Sequence, residues 1–505
     1  MHPLILLALL QVGNVGAQHA APLPQNAAPP QSHPTTCYEV FVRSFYDSNG
    51  DGIGDLPGLT QKLDYISGLG ADCVWLMPIA ESPSYHGYDV TDYYKVEPDY
   101  GTNDDFKAFV AAAHQHKIRV LVDLVLNHTS SEHPWFQEAL RDTTAPHRGW
   151  YRWAPTQGGA CPNNWHKSPV RDECYFGLFW SGMPDLNYEN PAVLDEMKRV
   201  ARVWLDSMHV DGFRLDAVRH LVEVGNEVSN TPGTHQVLRD FGQYVRGIAP
   251  QSYTIGEVWD NPDVILTYYP DQLDAYFAFP ISEALIEAVR TGKAGGLLPT
   301  VEQFQRAEPA YRWAPFQRNH DQTRAMTALA NDTAGARLAV TILLTLPGVP
   351  FVYYGEEIGM TGDKPDERLR TPMQWNGTSR GFTSGKPWEA LQPDSLTANV
   401  AVEDRASSSL LGLYRWLIRL RANDKALREG ELEAVDTGNE AVLGYLRKDG
   451  SSRVLVVVNL GKVPATFSLP GRFTLRSLLT PRRNRTALPR LEPRTAYIYA
   501  MTPRP

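Results

Sequence analysis

Four segments of this 505-residue chain place carboxylates, histidines and an arginine where apolar runs end. They contribute Asp123, Asn127 and His128; Arg214 and Asp216; Glu257; and Asn319, His320 and Asp321. Arg214 and Asp216 stand two apart in "GFRLD", so on an extended strand both side chains point to one face. A neighbouring guanidinium favours an ionised carboxylate, which suits Asp216 to nucleophilic attack. Glu257 lies in "GEVW", where apolar neighbours would keep it protonated near neutral pH, the state a general acid needs. An ionised and a protonated carboxyl about 5 to 5.5 Å apart are the equipment for retaining cleavage of a glycosidic bond. Asp321 would add a third carboxylate to stabilise an oxocarbenium-like transition state. Any one of these residues could equally be a structural ion pair; the complete set at strand ends is what points to catalysis.

The runs that must position them number eight, over 38–45, 73–79, 118–127, 210–216, 252–259, 273–279, 316–321 and 349–357. Helical patterns such as "NDDFKAFVAAAHQHK" separate most of them. Strands alternating with helices eight times predict an α/β fold, a (β/α)8 TIM barrel, whose active site lies at the C-terminal ends of the strands. Too many residues separate Asn127 from Val210 for one helix, so residues 129–188 are expected to form a small domain inserted after strand three. The barrel then occupies 37–128 and 189–429. Beyond it, "AVLGYLRK", "RVLVVVNL" and "ATFSLP" alternate between turn signals, which predicts a C-terminal antiparallel β-sandwich over 430–505.

Composition is ordinary for a soluble globular chain, with 43% apolar and 21% charged residues. A net charge of −9 leaves no basic face for phosphates and argues against a nucleic-acid partner. Residues 4–10, "LILLALL", are too few to span a bilayer, so no membrane span is expected. With small residues at "VGA" (15–17) they read as a signal peptide over 1–17, and the protein as secreted or periplasmic. The n-region lacks Lys and Arg, a departure from the usual pattern. Residues 18–36 hold five prolines and read as a linker. Export permits disulfides. Cys161 and Cys174 share one irregular stretch and are expected to pair. Cys73 could be a core thiol or could reach Cys37 on a neighbouring strand.

"DSNGDGIGD" (47–55) spaces oxygen donors at alternate positions: Asp47, Asn49, Asp51 and Asp55, with the Ile53 carbonyl between the last two. Its twelfth position is Gly58, not a bidentate Glu, and a strand precedes it, so it is not an EF-hand sensor. A smaller oxygen cage for a hard cation such as Ca²⁺ remains, against the plain alternative of a solvated acidic turn.

"DLVLNH" (123–128), "GFRLDAVRH" (212–220), "GEVW" (256–259) and "NHD" (319–321) resemble four ordered motifs of the α-amylase family of glycoside hydrolases. "MPDLN" (183–187) and "YHGYDVTDYY" (85–94) resemble two further segments. The resemblance runs from about residue 37 to 505. It implies Asp216 as nucleophile, Glu257 as acid/base and Asp321 as the transition-state carboxylate. It implies that Arg214, His128 and His320 hold the sugar at the cleavage point, with Tyr88 as an aromatic platform and His86 beside it. It also implies a structural Ca²⁺ in the 47–55 loop, and matches Asn127 to a calcium ligand of other members.

Two departures bear on substrate. Arg219 stands where many α-amylases have Lys, and "MPDLN" lies between the patterns of α-amylases, oligo-1,6-glucosidases and neopullulanases. The expectation is a monomeric, secreted, retaining hydrolase of internal α-1,4 bonds in starch-like α-glucans. An α-glucanotransferase, or a maltogenic or oligosaccharide-acting α-glucosidase, would use the same residues. A non-enzymatic binding module is disfavoured because all three carboxylates are kept.

Overall fold

The computed structural model describes residues 33–469, 472–479 and 485–503. The expected signal peptide, and the expected linker up to residue 32, lie outside the described residues. Residues 33–36 rest on the body of the protein: the backbone N–H groups of Thr35 and Thr36 donate to the Asp72 carboxylate, and Thr36 is buried.

Eight parallel strands form the central sheet: β1 (Cys37–Val40), β2 (Cys73–Leu76), β3 (Arg119–Val125), β4 (Gly212–Asp216), β5 (Tyr253–Gly256), β6 (Ala275–Phe277), β7 (Trp313–Ala314) and β8 (Phe351–Tyr353). Their order is β7-β6-β5-β4-β3-β2-β1-β8. A parallel bridge between Phe316 and Phe351 joins the two ends and brings the sheet round into a barrel. The strands are nearly continuous apolar runs because both faces are covered. Outward residues such as Tyr38, Val74, Val120, Phe213 and Leu215 join the large core beneath the helices. Inward residues, among them Cys37, Cys73, Trp75, Leu121, Tyr253 and Phe277, fill the lumen as a separate cluster.

The two-residue period has a direct consequence for chemistry. Glu39, Trp75, Asp123, Arg214 and Asp216 each share the inward parity of their strands. Register sets Glu39 beside Trp75 and Asp123 beside Arg214. The helices are conventional amphipathic pieces. In Pro191–Asp206, Asn190 caps the N-terminus by accepting from the Ala192 N–H, and Val193, Met197, Val200, Ala201 and Trp204 form the buried stripe.

One strand expectation is corrected. The seventh strand is Trp313–Ala314, not 316–321. Pro315 lacks an N–H and ends the ladder, so only Phe316 keeps a bridge, and Gln317 to Asp321 are free to turn into the barrel mouth. The open question on Cys37 and Cys73 is answered by pairing: they face each other in register on β1 and β2 and form a disulfide, with Cα atoms 4.4 Å apart.

After β3 the chain leaves the barrel. A three-stranded antiparallel sheet forms there, with Glu173–Phe176 between Trp153–Pro155 and Trp165–Lys167. Cys161 and Cys174 are bonded within this excursion, as expected. It is tied back at its base, where the Tyr188 hydroxyl donates to the Leu126 carbonyl at 2.6 Å.

The C-terminal region is a five-stranded antiparallel sheet: β9 (Glu431–Ala434), β10 (Val442–Asp449), β11 (Ser452–Asn459), β12 (Phe473–Ser477) and β13 (Thr495–Pro503), in the order β9-β10-β11-β13-β12. Val454, Val456 and Val458 face the barrel core, while Leu455 and Val457 pack under Ala465 and Leu491. Ala465 makes only an isolated bridge to Leu491, so residues 465–469 form a covering segment rather than the expected strand. Among the described residues no helix is long and apolar enough to cross a membrane.

Candidate active site

Arg214 is the hub of the barrel mouth. It is the middle residue of β4, only 1% exposed, and its guanidinium serves three carboxyl groups. Nη1 donates to Asp123 Oδ2 at 2.8 Å and to Asp216 Oδ1 at 2.7 Å. Nη2 donates to Glu257. A planar guanidinium can hold several acceptors in fixed directions, which an ammonium cannot do. After Asp216 the chain turns sharply: Ala217 adopts φ 46°, ψ 34°. A left-handed conformation at a residue with a Cβ is uncommon and costs roughly 1–3 kcal/mol.

Glu257 follows β5, where its N–H donates to the Leu215 carbonyl at 3.0 Å. Gly256 precedes it because a Cβ there would lie 2.6 Å from the Tyr276 ring. Burial raises the Glu257 pKa, with the negative Asp216 and Asp321 adding to the effect; Arg214 opposes it, and the result is about 7. Asp123 is likewise pushed up to about 7, chiefly by burial.

Asp321 behaves oppositely. Burial alone would raise its pKa, but His320 and Arg370 outweigh that and hold it well below the usual carboxylate range. Arg370 Nη2 donates to Asp321 Oδ1 at 2.7 Å, and Arg370 Nε donates to the His320 carbonyl at 3.1 Å. His320 Nε2 lies 3.2 Å from Asp321 Oδ2. Tyr88 stacks on the His320 ring, with centroids 5.7 Å apart and 14° between planes.

The cavity that these groups open into has a volume of about 360 Å³. Of the residues singled out from sequence, His86, Tyr88, His128, Asp216, Glu257 and Asp321 line it. Arg214 and His320 do not; they lie beneath the wall and hold the groups that do. His128 Nε2 is buried with no hydrogen-bond partner among the described residues, a donor or acceptor that a bound hydroxyl could satisfy. The His86 ring is fixed by the Tyr88 N–H, which donates to its Nδ1 at 3.1 Å. Asn127 Nδ2 donates to the buried Asp185 at 3.1 Å and so ties the excursion to β3.

Asp123, singled out at the end of strand three, sits on Arg214. The sequence marks no site role for Glu39, Arg370 or Asp366, nor for Phe179, Trp180 and Met183, which reach the cavity from the excursion. Inward parity on β1 would have found Glu39. No periodic signal marks the other five.

The 47–55 loop lies apart from this cavity. Gly50 and Gly52 have positive φ, and their N–H groups donate to Asp47 at 2.7 and 2.8 Å. The Asn49 side chain accepts from the Asp51 N–H, and the Asp51 side chain from the Ile53 N–H, each at 2.8 Å. Asp55 caps the helix Leu56–Gln61 by accepting from the Gly58 N–H. The donors are all oxygen, and each carboxylate oxygen has two lone pairs, so the donor chemistry fits a hard cation. Among the described residues no three His, Cys, Asp or Glu side chains converge as a ready-made metal cluster.

Comparison with known proteins adds the following. The family model described as "Alpha amylase, catalytic domain" matches residues 39–430. An "Alpha-amylase 3" of Dictyoglomus thermophilum is 39% identical over 456 residues, 89% of each chain. A "Trehalose synthase/amylase" of Mycolicibacterium smegmatis is 36% identical, over 86% of this chain and 84% of that one. The crystal structure of an α-amylase from H. orenii superposes with a TM-score of 0.82 at 38% identity, covering 93% of this chain and 99% of that one.

Proposed function

This chain belongs to the α-amylase family, and from that premise we propose that it is an exported, retaining hydrolase that opens internal α-1,4 bonds of starch-like glucans. The observation that carries this reading is the convergence of Asp216, Glu257 and Asp321 on one cavity, with the Glu257 carboxyl pushed up by burial and Asp321 held down by His320 and Arg370.

In the first step an Asp216 oxygen attacks the anomeric carbon as the bond to the leaving sugar breaks. Glu257 gives its proton to the departing oxygen. The product is a glycosyl ester on Asp216 and a free glucan end. In the second step the Glu257 carboxylate takes a proton from water, whose oxygen displaces Asp216, and the starting states return. Asp321, held ionised, faces the positive charge that develops at the ring in the transition state of each step. Tyr88 and His86 offer an aromatic wall to the sugar, with His128 Nε2 free for a hydroxyl.

Ca²⁺ in the 47–55 loop is part of the proposal. Asp47, Asn49, Asp51, Asp55 and the Ile53 carbonyl would hold it, and its role there is structural.

A second reading has one specific support, the match to a trehalose synthase/amylase. An enzyme that passes the glycosyl group to a sugar would share every step but the last acceptor. A time course of products from soluble starch and from maltotriose decides. Falling viscosity and mixed short products favour internal hydrolysis. Products longer than maltotriose, or unreduced starch viscosity, overturn it.

A further inference from the structure

One buried titratable pair of the site is not used by the reaction steps above. Glu39 is the third residue of β1, 2% exposed, and its Oε1 lies 2.6 Å from His320 Nδ1. The His320 ring is fully buried. Its other nitrogen, Nε2, lies 2.6 Å from the Tyr88 hydroxyl and 3.2 Å from Asp321 Oδ2. The Tyr88 hydroxyl in turn donates to Asp123 Oδ2 at 3.3 Å.

The ring lies between two carboxylates. Nδ1 faces Glu39, and an ionised carboxylate only accepts, so Nδ1 donates. Nε2 faces Asp321 Oδ2, which also only accepts, and the Tyr88 oxygen, whose own hydrogen can go to Asp123, so both contacts are met when Nε2 donates. Both ring nitrogens are therefore donors, and a ring with two donors is an imidazolium. Arg214 Nη1, 3.4 Å from the Tyr88 oxygen, and Arg370, on the His320 carbonyl, are the cations nearby. The carboxylates against the ring are Glu39 behind it and Asp321 in front, with Asp123 and Glu257 farther off but within reach of its charge.

We propose that Glu39 is a positioning residue for catalysis: its buried carboxylate holds His320 doubly protonated, and the imidazolium in turn keeps Asp321 ionised and Tyr88 oriented at the cleft wall. The inference rests on the functional reading above. The ring's pKa agrees with the geometry: burial would lower it, but Asp321 and Glu39 raise it to about 9. Removing the negative charge behind the ring lets the imidazolium lose its proton at lower pH. Asp321 then loses its cation, and the transition state loses an ionised neighbour.

The test uses the full chain and α-maltosyl fluoride, whose leaving group departs without a proton from Glu257. The alkaline limb of kcat/KM on this substrate then reports His320 rather than Glu257. The native chain should show a limb near 9. In Glu39→Gln, which keeps an acceptor but removes the charge, the limb should move toward acid by at least about one pH unit, with kcat/KM at pH 8 down about twofold or more. Glu39→Asp should restore part of the shift. A Glu39→Gln profile that superposes on the native one overturns the proposal. So does a loss that is uniform across pH, because a merely structural role would produce that. If Glu39→Gln does not fold, or the native chain does not turn over the fluoride, the ¹⁵N imidazole spectrum of the native chain decides, with His320→Asn identifying the resonance. Two protonated ring nitrogens at pH 7.5 support it and a neutral ring overturns it. Inactivity of the native chain on the fluoride would count against the functional reading alone.

Discussion

Asp216 and Glu257 are bound by opposite nitrogens of one guanidinium, Arg214 Nη1 donating to Asp216 at 2.7 Å and Nη2 to Glu257. The carboxyl assigned to attack and the carboxyl assigned to protonate are thus positioned by a single rigid plane. Their separation cannot change without rotating a side chain that is also fastened to Asp123. The shared cation also limits the repulsion that would otherwise drive the two carboxyls apart.

Replacing that plane should therefore damage both catalysis and stability. Arg214→Lys keeps the charge but not the fork, and is expected to lower kcat by about 10²-fold or more because near-attack geometry is lost. Arg214→Met leaves three carboxyls without a counter-charge and should cost about 3–5 kcal/mol of stability. Denaturant unfolding and steady-state kinetics on maltooligosaccharides measure the two effects. A Lys variant with native kcat would refute the positioning role.

The acid role of Glu257 has a pH signature. Its pKa is raised from the ordinary carboxyl value to about 7, so the proton to be donated is present below 7 and lost above it. On starch, kcat/KM should fall above about pH 7. Glu257→Gln should remove that limb and lower turnover by several orders of magnitude, while leaving binding of a maltooligosaccharide near native. A Gln variant that retains the limb places the acid elsewhere.

Chelation should act on stability rather than on the catalytic groups. Treatment with EDTA is expected to lower Tm by several degrees, and added Ca²⁺ should restore it, since a ligand bound only to the folded state stabilises by mass action. Asp51→Ala should abolish the response. An EDTA-insensitive Tm would leave the 47–55 loop a turn closed by its own hydrogen bonds.

The two disulfides should differ in access. Cys37 and Cys73 are both fully buried in the barrel lumen, whereas Cys161 is partly exposed on the excursion. Mild reductant under native conditions should open Cys161–Cys174 first, read by alkylation and mass spectrometry. Loss of that bond should destabilise the excursion by about 3 kcal/mol or less, given its short loop. Equal labelling of all four cysteines would contradict the burial.

How much of this was legible beforehand depends on the kind of signal. Arg214 and Asp216 carry their own geometry, because two residues apart on a strand means one face. Strand seven lies outside "FQRNHD" because that segment has an extended pattern, whereas the pairing of Trp313 and Ala314 with Tyr276 and Phe277, just before Pro315, is set by the ladder. Phe179, Trp180 and Arg370 were invisible because they reach the cavity from irregular backbone with no repeat to read. His320, which the family resemblance sets against the sugar, has Glu39, Tyr88 and Trp75 around its ring, and those neighbours come from three distant segments.

By itself the chain of residues determined the strand–helix alternation and the shared face of Arg214 and Asp216, both of which follow from local period and spacing. Tertiary structure alone decided that Cys37 meets Cys73, that one arginine joins three acids, and that Glu39 stands behind His320. Those relationships join residues far apart in the chain. They depend on strand register and barrel closure, which are set by the packing of the whole core rather than by any segment of it.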